Sequence, residues 1–180
     1  LGKTMVLCPG SGTAQKSAMK TLEYLKSKNK LKNLLDDPTK KDEINKLIAI
    51  IELEILEDNN LIECLKYGIA YHHSKLSALV KEKIEDLITK DCINIIFATT
   101  TLAQGMNFPI TTVIFDALTL GGGKNTKIID NSSFWNIAGR AGRAYKDKEG
   151  HVIISYRNSK KYMQTTTTNY IKSDIKEVIS

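Results

Sequence analysis

The chain has 180 residues, 42% of them hydrophobic and 26% charged, with a formal net charge of +6. That is enough for one domain with a real core. No run approaches the roughly 18 apolar residues of a membrane span, and no basic region followed by an apolar core marks a leader. The three cysteines, Cys8, Cys64 and Cys92, are odd in number and lack C-x-x-C spacing. We expect buried thiols in a reducing compartment, which places the protein inside the cell, in the cytoplasm or the nucleus. The excess of positive charge favours an anionic partner, nucleic acid first.

Five short apolar runs read as strands: residues 4–8, 68–72, 92–98, 111–117 and 151–156. Near-continuous Ile, Val and Phe suit parallel strands covered on both faces. Helical periodicity lies between them. Residues 13–26 carry Ala14, Ala18, Leu22 and Leu25 on one face, with Thr13 as a candidate N-cap. Residues 42–57 and 75–90 repeat the pattern. The alternation predicts an α/β fold with right-handed crossovers. The polar stretch 26–43 reads as a surface loop plus helix, and the segment 118–129 as two short strands around a glycine-rich turn.

Four segments carry chemistry. The first, TMVLCPGSGTAQKSAMKTL (4–22), has the order strand, glycine turn, helix of a phosphate loop. Such a loop points backbone N–H groups at phosphate oxygens and needs glycine before its lysine. Gln15 stands there instead, ahead of Lys16. The second is FWNIAGRAGRA (134–144), where Arg140 and Arg143, each preceded by glycine, are three residues apart and would share a helix face. Guanidinium forks match phosphate oxygens, and glycines leave room for a close approach. The third, FATTTLAQGMNFP (97–109), ends a strand in threonines, at the edge where parallel sheets bind ligands, and Asn107 can hydrogen-bond a sugar hydroxyl. The fourth, AYHHSKLSALVKEKIEDL (70–87), closes a strand with His72 and His73 before a basic helix. Adjacent strand residues point to opposite faces, so a shared metal is improbable; packing plus a phosphate contact fits better.

In this order and spacing, the segments resemble the C-terminal RecA-like lobe of superfamily 2 helicases. The DExH branch, with the exosome-associated RNA helicases and the ratchet-type repair helicases, is the nearest. NIAGRAGR resembles motif VI, ATTTLAQGMNFP motif V, and VLCPGSG stands in the place of motif IV; the likeness covers about residues 4–156. Two departures stand out: Asn136 where the family has Gln, and Lys81 where it has Arg.

The resemblance implies a RecA-like, mainly parallel twisted sheet with helices on both faces, the second lobe of the P-loop NTPase superfold. Residues 1–160 would form the lobe, with a helical insertion at about 26–66, and 161–180 a connecting segment toward a further domain. Arg140 and Arg143 would be arginine fingers for an ATP bound, with its Mg²⁺, mainly by a first lobe not in this sequence. Gly105, Asn107, Asn136 and Gly139 would line the nucleotide. Ser11, His73, Thr99 and Thr101 would hold the backbone of a single strand of DNA or RNA. The partners would be that strand, the N-terminal lobe and downstream domains of the same chain, with no membrane. The whole protein would be an ATP-dependent helicase, and this lobe alone would not hydrolyse ATP. The segment 118–129 occupies the position of a strand-separating hairpin. Two rivals remain at this level: a small phosphotransferase using Lys16 and Asp116, and a non-catalytic nucleic-acid-binding module.

Overall fold

A computed structural model describes residues 2–54, 59–100, 110–120, 126–142, 149–155 and 160–172. Five parallel strands form one sheet in the order β2-β3-β1-β4-β7. They are β1 (Thr4–Leu7), β2 (Ile69–His72), β3 (Ile95–Ala98), β4 (Thr112–Phe115) and β7 (His151–Ile154). Between β4 and β7 lies a two-residue antiparallel hairpin, β5 (Thr119–Leu120) with β6 (Lys127–Ile128), paired Thr119 to Ile128 and Leu120 to Lys127. Among the described residues the helices are α1 (Ser11–Ser27), α2 (Pro38–Leu53), α3 (Asn59–Leu65), α4 (Ala78–Thr89), α5 (Asn131–Ala138) and α6 (Lys160–Lys172), with a 3-10 turn at Leu34–Asp36.

All four residues of β2 are buried. Successive strand side chains point to opposite faces, so both faces are covered there, as the unbroken apolar runs required. The α/β parallel sheet is therefore as expected. The core continues through Met5, Leu7, Val113 and Phe115 of the central strands and through Ala14, Ala18 and Leu22 of α1.

Three local expectations change. Helix α1 starts at Ser11 with Gly10, not Thr13, as its N-cap. Gly10 is extended and supplies no side-chain cap; its carbonyl accepts from the N–H groups of Thr13 and Ala14. Strand β3 starts at Ile95 rather than residue 92, because the N–H groups of Asn94 and Ile95 both donate to the Gly68 carbonyl and bind the chain to the turn before β2. The third change concerns residues 26–66, which are more than a surface insertion. Helix α2 starts at Pro38 behind the Asp37 cap and buries Ile44, Leu47 and Ile51; α3 buries Leu61, Cys64 and Leu65 and packs against β2. This layer covers the outer edge strand, a position that otherwise invites pairing with other chains. The other edge, β7, has Val152 and Ile153 at 42% and 48% exposure. All three cysteines are buried thiols outside any disulfide.

Candidate ATP and nucleic-acid faces

The sequence-selected residues fall at two ends of the sheet. Register places Leu7, Ala98 and His72 side by side at the C-terminal ends of β1, β3 and β2. The next residues of these three strands lead into Ser11, Thr99 and His73, so the fold brings these three candidates to one edge. Cys8 N–H donates to Ala98 C=O at 2.8 Å, and Thr99 N–H to His72 C=O at 3.2 Å, which holds the edge together. Ser11 opens α1 between Gly10 and Gly12, and a Cβ built on either glycine meets nothing within 4 Å. The backbone of the first turn of α1 is therefore open to approach.

His73 itself is buried, at 2% exposure, and stacks on Tyr71 with ring centroids 5.7 Å apart. Gln15 Nε2 lies 3.3 Å from its Nε2. The residue that displaced the phosphate-loop glycine thus has a partner of its own, a role the linear sequence hid because the two are 58 positions apart. The helical start at Ser11 also changes the chemistry of this segment. Residues 11–15 are the first turn and more of a helix, not a loop wrapped around an anion, and Lys16 sits in the second turn. A phosphate cradle is built from loop N–H groups ahead of the helix, and here only Cys8, Pro9 and Gly10 separate strand from helix.

His72 is buried beside this edge, and neither of its ring nitrogens has a hydrogen-bond partner among the described residues. Its Nε2 lies 3.3 Å from Glu85 Oε1. Burial first, then the charges of Lys81 and His73, push its pKa down to about 4, so the ring is neutral at pH 7. Burial also pushes the Glu85 carboxyl up. Both members are driven toward their uncharged forms, and the contact is not a charged bridge.

Arg140 lies at the opposite end. Helix α5 starts at Asp130, whose carboxylate accepts from Ser133 N–H at 2.8 Å and Ser133 O–H at 2.7 Å, and runs back along the sheet to Ala138. The expected helix carrying both arginines therefore stops short: Arg140 stands in the turn that follows. Gly139 N–H donates to Trp135 C=O at 2.8 Å and Arg140 N–H to Ile137 C=O at 3.2 Å. Ala141 then bridges Ile110 in parallel, and Gly142 N–H donates to Ile110 C=O at 2.9 Å, ahead of the start of β4. Gly139 is exposed and Arg140 half-buried on this turn, and Asn136 is exposed on α5 just ahead of it.

The second glycine of the repeat has a backbone reason. Gly142 has φ +84°, and a Cβ there would sit 3.0 Å from Gly150 Cα. A Cβ on Gly150 would lie 2.2 Å from the Ala141 carbonyl oxygen. The turn and the start of β7 touch backbone to backbone, which only glycine permits. Clearance for phosphate, the sequence-level explanation of the glycines, is thus not the reason for Gly142. Arg143, Thr101, Gly105 and Asn107 lie outside the described residues.

A separate cleft of about 150 Å³ between α2 and α4 is lined by Glu43, Lys46, Leu47, Lys83, Asp86, Leu87 and Lys90. It contains none of the candidate residues, and its charges largely pair with one another. Lys90 bonds Glu43 and Asp86, and Glu43 also bonds Lys46; these lysines, Lys46 first, hold the Glu43 carboxyl down to about 2.

A five-stranded parallel sheet with a glycine turn at the head of α1 and a Gly-Arg-x-Gly turn behind α5 fits a RecA-like lobe. The family model for the helicase conserved C-terminal domain matches residues 19–145, and the chain belongs to that family. It is similar to the Hachiman protein HamB of Bacillus cereus, 43% identical over 63% of this chain and 10% of that protein. It is also similar to the antiviral helicase SKI2 of Saccharomyces cerevisiae, 42% identical over 59% of this chain and 8% of that protein. The DExH-box ATP-dependent RNA helicase DExH11 of Arabidopsis thaliana is 38% identical over 56% of this chain and 8% of its own length. The chain therefore spans about a tenth or less of these relatives. It is a superfamily 2 helicase C-terminal lobe of the DExH type. No helix among the described residues is long and apolar enough to cross a membrane.

Proposed function

We propose that this lobe is the second motor lobe of an ATP-dependent helicase, with its two chemical tasks assigned to the two ends of its sheet. The observation that carries the reading is the separation just described. Gly139 and Arg140 form a turn beside the N-terminal end of β4, with Asn136 in the last turn of α5 just ahead of it, whereas Ser11, Thr99 and His73 cluster at the C-terminal ends of β1 to β3.

At the first end, Arg140 is the arginine finger and Arg143 its companion. A half-buried arginine on a turn held against the Gly150 main chain suits a triphosphate, because guanidinium forks match phosphate oxygens and the residue is partly shielded from water. Asn136 and Gly139, with Gly105 and Asn107, line the nucleotide. The triphosphate and its Mg²⁺ are held mainly by an N-terminal lobe. Among the described residues no three His, Cys, Asp or Glu side chains gather as a metal site, and the reading draws no metal ligand from this lobe. ATP, when bound, supplies the free energy that closes the two lobes.

At the second end, Ser11 and the open N–H groups of α1, with Thr99 and Thr101, hold phosphates of a single strand of DNA or RNA. These contacts position the strand without reading its sequence. His73, buried against Tyr71, acts on the strand only through Gln15. ATP-dependent closure and release then change the grip and move the strand. The lobe by itself hydrolyses no ATP.

The test is Arg140→Ala in the full-length protein. Nucleic-acid-stimulated ATP turnover is expected to fall by about 10³-fold or more, the low end of the effect of arginine fingers elsewhere, with strand affinity kept. Turnover within a few-fold of wild type would remove the finger from the reading.

A further inference from the structure

One side chain outside every motif named so far ties the Arg140 turn to the hairpin. Tyr170 of α6 is 6% exposed and stacks on Phe134 of α5, centroids 4.5 Å apart and planes at 17°. Phe134 stacks in turn on Phe115 at the end of β4, at 4.9 Å, and meets Trp135 edge-on. A continuous aromatic column thus runs from the sheet through α5 to α6.

Two hydrogen bonds cross the same joint. The Tyr170 hydroxyl donates to the Ile129 carbonyl. Ile129 N–H donates to Leu118 C=O at 3.0 Å, so this is the residue that closes the base of the hairpin, and the next residue, Asp130, caps α5. The Trp135 indole N–H donates to the Tyr170 carbonyl at 3.1 Å. The backbone carbonyl of Trp135 accepts the Gly139 N–H that starts the Arg140 turn. From Arg140 to the hairpin the connections therefore run through Gly139, Trp135, Tyr170 and Ile129, of which the Tyr170–Ile129 bond is buried and the Trp135–Tyr170 bond partly buried. A buried polar group whose partner moves away is costly, by more than the bond itself is worth. Through these bonds and the aromatic column, helix α6, the turn and the hairpin base are tied to one another.

We propose that Tyr170 is a positioning residue that couples the Arg140 turn to the β5–β6 hairpin and to α6, so that a nucleotide-driven shift of the turn is delivered to the hairpin. The inference rests on the motor reading above and adds to it the route by which chemistry becomes strand opening. Tyr170 touches neither nucleotide nor strand in this scheme. Tyr170→Phe keeps the aromatic stack and deletes the hydroxyl's bond to Ile129; Trp135→Phe keeps an aromatic ring and deletes the bond to the Tyr170 carbonyl.

The experiment measures ATP turnover and duplex opening side by side in the full-length protein. Tyr170→Phe is expected to leave stimulated ATP turnover within about twofold and to lower base pairs opened per ATP by about fivefold. Trp135→Phe should do the same, and the double variant should be no worse than either single, since both cut one series connection. An unchanged ratio in Tyr170→Phe overturns the coupling, as does an equal fall in turnover and opening, which would mark mere structural damage. A wild-type protein without nucleic-acid-stimulated turnover would instead overturn the motor reading and the coupling with it. A circular-dichroism melt of each variant checks that it is folded; should Tyr170→Phe fail to fold, Trp135→Phe alone decides by the same ratio.

Discussion

The two ends of the sheet are built by different means. At the C-terminal ends of β1, β2 and β3, candidate residues arrive by strand register, and side chains do the organising: Gln15 reaches His73, and His73 stacks on Tyr71. At the other end, the Arg140 turn is organised by backbone. Gly142 takes a conformation closed to other residues, and Gly150 lets two main chains touch. Under the proposed function, an end that grips a strand would tolerate exchange of one hydroxyl for another, whereas an end that aims one guanidinium at one phosphate would gain from a turn fixed by main-chain contact.

That contrast can be broken most forcefully at Arg140. Its replacement by Ala should cost about 10³-fold or more in stimulated turnover, while Thr99→Ala should raise the nucleic-acid concentration for half-maximal stimulation by about tenfold, the loss of one charge-assisted bond. Equal loss of strand affinity in both variants would erase the division between the ends. The next largest effect tests the backbone argument on the isolated lobe. Gly142→Ala and Gly150→Ala should each lower unfolding free energy by about 2–3 kcal/mol, the range of left-handed strain and overpacking, read by urea titration. Gly12→Ala, at the open end, should change it by well under 1 kcal/mol or raise it slightly, since Ala is the better helix former.

A pH titration sharpens the side-chain half. His72, its pKa depressed to about 4 against an ordinary value of 6.5, binds its proton more readily in the unfolded chain. Its contribution is complete above pH 6.5 and is lost as pH falls toward 4, about 2 kcal/mol of it by pH 5. Glu85, its carboxyl raised, takes up a proton in the native state and opposes part of that loss. Urea unfolding at pH 7 and pH 5 should therefore differ by more in wild type than in His72→Asn; parallel curves would mean that His72 is not the neutral buried group described. A small change is expected from Gln15→Gly, which restores the phosphate-loop glycine. It should cost about 1 kcal/mol in helix propensity and create no ATP binding, because residues 11–15 are already helical. Micromolar, Mg²⁺-dependent ATP binding by that variant would revive the phosphotransferase rival.

Much of the architecture was legible. The five apolar runs are strands, and 118–129 does pair as a short hairpin, because alternating strand and helix periodicity is a local property of the chain. Boundaries were less so. Thr13 has the composition of a cap, but the chain turns into helix three residues earlier, where Gly10 meets the strand end. Residues 26–43 look solvated by composition; yet the layer they lead into covers β2, since the need to cover an edge belongs to the sheet and not to the segment. At the candidate site, Arg140, Ser11, Thr99 and His73 could be picked from motif spacing. That Gln15 serves His73, that Gly142 serves Gly150, and that Tyr170 serves Ile129 and Trp135 could not, for in each pair the partners lie 8 to 58 positions apart.

By itself the sequence determined the alternation of strand and helix and the identity of the segments that carry charge and hydroxyls. Hydrophobic periodicity and residue chemistry are written locally, and both survive without coordinates. Only the tertiary structure decided that these segments divide between opposite ends of one sheet. It also decided that a glycine read as room for phosphate is room for another backbone, and that a tail helix is bolted to the arginine turn. Those outcomes depend on which distant surfaces exclude water from one another, and that is a property of the packed chain.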